Sequence, residues 1–528
     1  MGLLKRLIKF FSAKSDNELN QEFEFAQEEK TVPEDFAALN PVAIDESKEE
    51  TPDKRIHVLY KKSSIGKQLL VHRSEDSVLD HPEGLEPYEV AGRKRLATLA
   101  DIDWFGDGYF AAVSVYGQYL RIYKLNEDPE NGENPLSLKL IHELKQGITF
   151  PDAVAVSRDR NLIAITHSMT QEKGVSLHRM NSETFAPEVA FEHVRTENTG
   201  HGVHFSPDSK YLAFTTIDGP GTVEVYDLNY SPVKRVSLLS NMHPYLRPKD
   251  VCFTADAKYV AVIYSEPLSP KFIKRKIVGK RLAIHRFDAA SGIIEEESIA
   301  ALDNATSLVS CFELASFKHD INPEMYRLFV SNQACDKVIE IGFTPDTGTL
   351  EILGCHHDGF SFPHGLDISA DNQWLSVTNF GDDCLRLFEF NTEFEKIKDT
   401  RPHILLCGRV PDFYPETEDQ QLMDLAGTFH DSGYRTSVLM PFENMNYTNQ
   451  IIRYADAVFL LADKTDSNLT EDSQYVSQFE TLIRKESIDI IYANSMFGSE
   501  IMIAARNTGI RMVHDTKEII SPDKAVFQ

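Results

Sequence analysis

The chain has 528 residues, of which 42% are hydrophobic and 26% are charged, and its formal net charge is −27. This length is too great for one ordinary core, so two or more folded units are expected, and the composition is not that of a disordered or fibrous chain. The negative charge argues against nucleic acid as a partner, and six cysteines without a CxxC pair favour a reducing, cytoplasmic location.

Residues 1–14 mix leucine, isoleucine and phenylalanine with lysine and arginine, which predicts a basic amphipathic helix. The segment is too short to cross a bilayer and lacks the cleavage site of a signal peptide. Two interpretations remain open, a peripheral contact with an anionic membrane surface and a terminus that frays or docks on the protein itself. Residues 15–54 are polar and acidic and predict a disordered linker.

A repeat of about 50 residues follows, in which an alternating strand leads to a polar turn with aspartate and then to a second apolar strand. The copies are 99–116, 151–168, 200–217, 248–265 and 363–380, with a degenerate copy at 311–333. This period is typical of four-stranded propeller blades. Strands within 55–73 would supply a further blade or close the ring. The sequence therefore predicts a β-propeller over 55–395, with seven blades expected and six as the alternative.

Polar residues recur where each copy enters its first strand, seven positions before the aspartate of the turn. They are Asp152, His201, Lys249, Glu313 and His364, with Ala100 at the same place in the first copy. Innermost strands line the channel of a propeller, so these side chains are predicted to converge at its mouth. They would suit a small polar ligand or a divalent metal, with His201 and His364 as metal candidates. The alternative is a solvated mouth that binds only water, and Lys249 would be an awkward neighbour for a cation.

The turn SPDSKYLA at 206–213 and the strand VEVYDLN at 223–229 resemble the seven-bladed lactonase-like and YVTN/WD40-like propellers. Such propellers include sugar-lactone hydrolases, redox enzymes and pure interaction platforms, so the resemblance implies a fold without fixing an activity. Two hypotheses follow from it. One is a lactonase-like hydrolase that acts at the propeller mouth, and the other is a non-enzymatic scaffold that binds a protein partner.

From residue 401 to residue 528 the pattern changes to strands that alternate with helices, which predicts a parallel, Rossmann-like α/β domain. No GxGxxG follows the first of these strands, so the sequence does not support a dinucleotide site.

The stretches 403–441 and 488–519 resemble the N-terminal, acceptor-binding half of family-4 GT-B glycosyltransferases. The resemblance implies a glycosyltransferase-related protein in which the propeller is a recognition module beside a domain for a sugar or glycan acceptor. The loop positions that match the family are Gly408, Arg409, Asn494, His514 and Asp515. The Gly-Gly pair that is usual in the first loop of this family is absent, and Glu416, Thr417 and Glu418 stand in its place. No second half with the Glu-x7-Glu donor motif precedes Gln528. Catalysis, with a nucleotide-sugar as donor, would therefore need a donor half supplied elsewhere.

Overall fold

The computed structural model describes most of the chain from residue 56 onward. The described ranges are 56–73, 88–90, 93–95, 99–127, 136–168, 173–219, 221–241, 243, 246–265, 279–303, 312–333, 336–390, 400–408, 419–440, 445–461, 473–494 and 499–515. The predicted helix at 1–14 and the predicted linker at 15–54 lie outside them. The chain forms two compact units, the first with Ser64–Leu353 and His357–Asn391, the second with Glu49–Ser63, Gly354–His356 and Thr392–Gln528.

The first unit is a β-propeller. The strands up to residue 390, of which β1 belongs to the second unit, are, in chain order, β1 (Ile56–Lys61), β2 (Ile65–Arg73), β3 (Tyr88–Val90), β4 (Arg93–Arg95), β5 (Leu99–Gly106), β6 (Tyr109–Ser114), β7 (Tyr119–Glu127), β8 (Leu136–Leu144), β9 (Pro151–Val156), β10 (Leu162–His167), β11 (Gly174–Arg179), β12 (Glu192–Arg195), β13 (Gly200–Phe205), β14 (Tyr211–Thr216), β15 (Thr222–Asp227), β16 (Lys234–Ser240), β17 (Arg247–Phe253), β18 (Tyr259–Ser265), β19 (Lys280–Asp288), β20 (Ile293–Asp303), β21 (Phe312–Phe317), β22 (Tyr326–Asn332), β23 (Lys337–Thr344), β24 (Thr349–His356), β25 (Pro363–Ile368), β26 (Trp374–Asn379) and β27 (Cys384–Phe390).

Six blades of four strands make up the propeller in the part of the chain that the structure describes. Five blades use consecutive strands, β5–β8, β9–β12, β13–β16, β17–β20 and β21–β24, and the sixth has the order β25–β26–β27–β2. The innermost strands β5, β9, β13, β17, β21 and β25 contact one another in sequence, and β25 returns to β5. The ring is therefore closed by an N-terminal strand that pairs with the last blade.

The expectation of seven blades was wrong, and the reason lies in the two strands before residue 74. β2 is the outer strand of the sixth blade, where it pairs antiparallel with β27. β1, which the sequence analysis placed in the propeller, instead pairs antiparallel with β30 (Ala457–Leu461) of the second unit. No strand in this region is left to start a seventh blade among the described residues, because each of the two already completes another sheet.

A hydroxyl and the aspartate of the repeat close the turn between the first two strands of a blade. Ser157 Oγ donates to Asp159 Oδ1 at 2.6 Å, and Ser206 Oγ donates to Asp208 Oδ1 at the same distance. The residue after the aspartate has a positive φ, for example 61° at Arg160. The same turn therefore recurs at the same place, which makes the aspartate a valid reference point for comparing blades.

Each innermost strand carries an irregularity near its second residue. The pairing of β13 with β14 shifts register between Gly200 and Val203, and the pairing of β25 with β26 shifts between Pro363 and Leu366. An extra residue of this kind is a β-bulge, which turns a side chain away from the regular alternation. The second and the fifth residue of an innermost strand can therefore both face the central channel, although they are three positions apart.

The second unit contains a sheet of mainly parallel strands. Its remaining elements are β28 (His403–Cys407), α1 (Asp419–Asp431), β29 (Arg435–Met440), α2 (Met445–Ile451), β30 (Ala457–Leu461), α3 (Ser473–Glu486), β31 (Ile490–Asn494), α4 (Ser499–Thr508) and β32 (Arg511–Asp515). The strand order is β1–β30–β29–β28–β31–β32, in which β28 to β32 are parallel and β1 is antiparallel. Alternate residues of β28 point to opposite faces, so Leu406 packs with α1 and α2 and Leu405 with α3 and α4.

Among the described residues, no helix combines the length and the apolar character that crossing a bilayer requires.

Candidate functional site

The structure brings the five propeller-mouth candidates together near the start of the innermost strands. Each is the second or third residue of its strand; Asp152, His201, Glu313 and His364 are buried, and Lys249 is partly buried. Their blades follow one another around the ring, from the second to the sixth. In the first blade, the equivalent residue is the buried Ala100. We refer to the five residues as the mouth cluster.

Both histidines of the mouth cluster point their Nε2 atoms at carboxylates. His201 Nε2 lies 3.6 Å from Asp152 Oδ2 and 3.3 Å from Glu313 Oε2. His364 Nε2 lies 3.8 Å from Asp152 Oδ1 and 4.0 Å from Glu313 Oε2. Lys249 Nζ completes the cluster, 3.1 Å from Glu313 Oε2 and 3.5 Å from His201 Nε2.

The other ring nitrogen of each histidine is fixed by the neighbouring blade. His201 Nδ1 lies 2.8 Å from the carbonyl oxygen of Lys249, and His364 Nδ1 lies 2.9 Å from the carbonyl oxygen of Ala100. A carbonyl oxygen only accepts hydrogen bonds, so each Nδ1 must carry the proton. In the neutral imidazole, Nε2 is then unprotonated and offers its lone pair to the cluster. Metal-binding histidines are held in the same manner.

The charges of the mouth cluster follow from its burial and its contacts. Burial raises the pKa of Glu313, but Lys249 and the two imidazoles outweigh burial and lower that pKa to about 2. Burial also lowers the pKa of His364, against the opposing effect of Asp152 and Glu313. Near neutral pH, Glu313 is therefore an ionised carboxylate and His364 is a neutral imidazole. Glu313 Oε1 is buried and makes no hydrogen bond within the described residues.

Hydroxyl residues on the second strand of the blades hold the backbone of the mouth cluster, and the sequence analysis missed them. Thr166 Oγ1 accepts from the amide of Ala153 at 2.8 Å and donates to the carbonyl oxygen of His201 at 2.5 Å. Thr215 and Thr378 form equivalent bridges to the next blade. These threonines all lie 14 residues after the mouth position of their own blade, a spacing that the sequence does contain.

Glycine follows both histidines because the next blade comes very close. A Cβ on Gly202 would lie 2.0 Å from Asp250 Oδ1, and a Cβ on Gly365 would lie 2.4 Å from Asp101 Oδ1. These aspartates in turn accept from the backbone of the following blade, since Asp101 Oδ2 is 3.0 Å from the amide of Val154. The His-Gly pairs in the sequence therefore reflect close packing between blades.

The candidates in the second unit lie at the carboxyl edge of its parallel sheet. Gly408 directly follows β28 and is buried beside Leu422. The backbone of Asn494 at the end of β31 is paired with that of Asp515 at the end of β32, and His514 precedes the latter. Arg409 lies outside the described residues. The role of these residues in binding an acceptor stays a prediction.

No protein-family model and no curated protein matches this chain. Solved structures do match over its propeller. They include the hydrazine synthase of Kuenenia stuttgartiensis (12% identity, 61% of this chain and 83% of that chain, TM-score 0.40). The periplasmic gluconolactonase PpgL of Pseudomonas aeruginosa is 14% identical, and the match covers 63% of this chain and 91% of that chain with a TM-score of 0.40. The Cps50 (Swd1) β-propeller domain of Myceliophteria thermophila is 10% identical, and the match covers 57% of this chain and 99% of that chain with a TM-score of 0.35.

The six-bladed propeller thus has both lactonase-like and WD40-like neighbours. Identities this low concern the fold alone, and these neighbours have different activities by name. The resemblance of the second unit to a glycosyltransferase half finds no support among these comparisons and stays a prediction.

Proposed function

We propose that the propeller is a metal-dependent hydrolase module, with a divalent ion held at its mouth by Asp152, His201 and His364. The observation that carries the proposal is the pair of imidazoles whose Nδ1 atoms are fixed by backbone carbonyls and whose Nε2 atoms face shared carboxylates. One ligand atom from each of these three residues can be chosen so that all lie within 4.8 Å of one another. Two imidazoles and a carboxylate form a donor set that suits zinc and similar divalent ions.

The three ligand groups lie close enough to one another to be drawn onto a single ion. In a tetrahedral site with zinc–nitrogen bonds of about 2.0–2.1 Å, neighbouring ligand atoms lie about 3.3 Å apart. His201 Nε2 lies 3.6 Å from Asp152 Oδ2, and His364 Nε2 lies 3.8 Å from Asp152 Oδ1. With one ligand atom taken from each residue, all three lie within 4.8 Å of one another, so the groups would need to approach by up to about 1.5 Å to hold one ion. Three protein ligands with one open position are the arrangement of catalytic rather than structural zinc sites.

Glu313 and Lys249 have separate roles in this proposal. A divalent ion in such a site polarises a carbonyl group and lowers the pKa of a bound water molecule. Glu313 is ionised and its Oε2 lies 3.3 Å from His201 Nε2, so it would be the group beside the ion that takes the proton of an attacking water molecule. Lys249 holds Glu313 in place and would supply positive charge toward the carbonyl oxygen of an ester. Small esters, lactones among them, are the substrate class that we propose.

Metal content and hydrolysis test this proposal separately. Purified chain dialysed against Zn²⁺ or Mn²⁺ should retain one equivalent, measured by mass spectrometry of the metal. His201→Ala and His364→Ala should weaken binding by more than about 100-fold, because loss of a mere supporting partner costs about 10- to 100-fold. The matched control is His430→Ala, which removes an exposed histidine on α1. Wild-type chain that retains no metal from either dialysis would contradict the proposal.

Glu313→Gln distinguishes the general base from the ligands. This variant should keep the metal but hydrolyse a lactone panel at least about 100-fold more slowly, the usual contribution of a general base. Retained metal with no hydrolysis by wild-type protein would refute the hydrolase and leave a binding site.

We also propose that the second unit is a Rossmann-like half-domain that binds a sugar or glycan acceptor. The observation in its favour is the strand order, in which β29 and β30 extend to one side of β28 and β31 and β32 to the other. Open α/β sheets bind ligands at the carboxyl edge where the order reverses. Gly408 and Asn494 follow or end the two strands at that point.

Thermal shift with UDP-glucose, GDP-mannose and free oligosaccharides tests this second proposal, because a ligand that binds the folded state raises its apparent stability. Asn494→Ala should abolish a shift that Asn507→Ala, on α4, preserves. The absence of a shift with every sugar would refute acceptor binding.

A further inference from the structure

A second polar cavity opens at the other end of the innermost strands. Its volume is about 210 Å³. The lining includes the fifth or sixth residue of each innermost strand, three or more positions after the mouth cluster; these residues are Asp103, Ala155, His204, Cys252, Ser316 and Asp367. None of them belongs to the mouth cluster, so the cavity is a separate site in the same channel.

The side chains around this cavity offer both donors and acceptors. The carboxyl groups of Asp103 and Asp367 are close neighbours in this lining. Ser316 Oγ donates to Asp367 Oδ1 at 2.6 Å, and Asp367 Oδ2 accepts from the amide of Trp104 at 2.7 Å. Burial, and then the charge of Asp367, raise the pKa of Asp103 well above its usual range.

His204 adds a second donor that is balanced by a carboxylate. Its Nε2 lies 3.5 Å from Asp250 Oδ2. Burial opposes the charged imidazolium, but Asp250, Asp367 and Asp101 outweigh burial and raise the pKa of His204. His204 thus pairs with Asp250. The rest of the lining includes Arg158, Lys318 and His319, so the cavity presents both acidic and basic side chains rather than a block of like charge.

Such a lining is best satisfied by hydroxyl groups. A hydroxyl both donates and accepts, so it can meet the carboxyl pair, Ser316 and His204 without bringing a new charge into a buried space. An amine or a carboxylate would have to be desolvated and would disturb the existing charge balance. Phe205 also lines the cavity and is only half-buried, which leaves an apolar surface for the face of a ring. The volume is below the roughly 300–1,000 Å³ of sites for drug-sized ligands, so one ring is the appropriate size.

We propose that this cavity binds a neutral, polyhydroxylated single-ring molecule, a monosaccharide or a cyclic polyol. The site does not depend on the metal or on the hydrolase proposed for the mouth cluster. It would make the propeller a sugar-binding module with two separate polar sites.

Saturation-transfer NMR on the full chain, freed of metal with EDTA, tests this proposal. The probes are D-glucose, D-galactose, D-mannose and myo-inositol at about 10 mM, well above a millimolar Kd. At least one should show transfer. The matched charged analogues, glucosamine for glucose among them, should bind at least about tenfold more weakly, because a charge must be desolvated.

Variants locate the signal. The Ser316 hydroxyl donates to Asp367 and so offers its lone pairs to a ligand. Ser316→Ala removes this acceptor and should weaken binding by about tenfold, the value of one hydrogen bond of about 1.4 kcal/mol. Ala155→Leu fills the cavity and should abolish binding; if it fails to fold, Ser316→Ala remains decisive. His201→Ala, in the mouth cluster, should leave binding unchanged. The proposal would be overturned if none of the probes showed transfer. It would also be overturned if transfer were unchanged in Ser316→Ala but lost in His201→Ala or Asn494→Ala.

Discussion

Glu313→Gln should destabilise the propeller by an amount that depends on pH. The ordinary pKa of a glutamate is 4.5, and the pKa of Glu313 is lowered to about 2. Each pKa unit corresponds to about 1.4 kcal/mol, so ionised Glu313 contributes about 3 kcal/mol to the free energy of unfolding at neutral pH. Because the folded-state pKa is the lower one, this contribution is complete above about pH 4.5 and disappears as the pH falls toward 2.

Urea unfolding followed by tryptophan fluorescence measures this effect. The sequence contains two tryptophans, Trp104 on β5 and Trp374 on β26, so the signal reports on the propeller. At pH 7 the variant should be less stable by about 3 kcal/mol, since it also leaves the partly buried Lys249 without its carboxylate partner. Near pH 2.5 the difference between the two proteins should have largely vanished.

The comparison with wild type at each pH is essential because other carboxyl groups respond in the opposite direction. Burial raises the pKa values of Asp101 and Asp103, so those groups destabilise the fold once the pH rises above the usual range of a carboxyl group. They are common to both proteins and cancel in the difference. Glu389→Gln, which changes an exposed glutamate on β27, is the control. Equal stabilities at pH 7, or a deficit that persists undiminished at pH 2.5, would refute the reasoning.

Three other substitutions test the packing of the two units. Gly202→Ala should lower the free energy of unfolding in urea by about 1–3 kcal/mol, because its Cβ would lie 2.0 Å from Asp250 Oδ1. As a control, the added Cβ of Gly427→Ala within α1 meets nothing closer than 3.7 Å, so this substitution should be neutral or stabilising. Thr378→Val, which leaves the amide of Gly365 without its acceptor, should cost about 1–3 kcal/mol by the same measurement. Burial and then Arg435 lower the pKa of His403 to about 4. The free energy of unfolding of the second unit should therefore fall by about 3 kcal/mol as the pH falls from about 6.5 to 4. Unfolding of His403→Gln followed by circular dichroism should show a weaker pH dependence than wild type, and an unchanged pH profile would contradict this assignment.

The repeat spacing predicted the mouth cluster because a propeller converts equal positions in a sequence into equal positions around an axis. The seven-residue offset from the turn aspartate holds in space since the same hydrogen-bonded turn, as at Ser157 and Asp159, ends the innermost strand in four of the six blades. No comparable rule gave the blade count. The strands at 56–61 and 65–73 look alike in sequence, and the sheet that each one joins depends on partners more than 300 residues away.

The second polar cavity was beyond sequence analysis for a different reason. Strict alternation would turn the fifth residue of a strand away from the face that the second residue occupies. The bulge in each innermost strand reverses this expectation, so His204 lines the channel like His201. A bulge has no strong signature in a single sequence, although the glycine at 202 and the threonines 14 residues after Asp152, His201 and His364 mark where it lies in those blades.

The mouth cluster is not required by the fold, and the first blade provides the argument. There Ala100 occupies the same position, and its carbonyl oxygen still accepts from His364 Nδ1 and from Thr378 Oγ1. An apolar residue therefore satisfies the backbone geometry, whereas Glu313 carries the cost of a buried charge and Lys249 that of a partly buried one. Polar residues kept where the fold accepts apolar ones are expected at functional sites.

This argument makes a final prediction. Replacing both partners of a buried ion pair by apolar residues of similar volume is often neutral or stabilising, while removing one partner is not. The double variant Lys249→Met with Glu313→Leu should therefore have a free energy of unfolding within about 1 kcal/mol of that of wild type, or higher. This free energy should also be clearly higher than that of Glu313→Gln alone. The same double variant should hydrolyse no ester, because it lacks the base and its positioning partner. A double variant less stable than Glu313→Gln in urea would mean that the charges serve the fold after all.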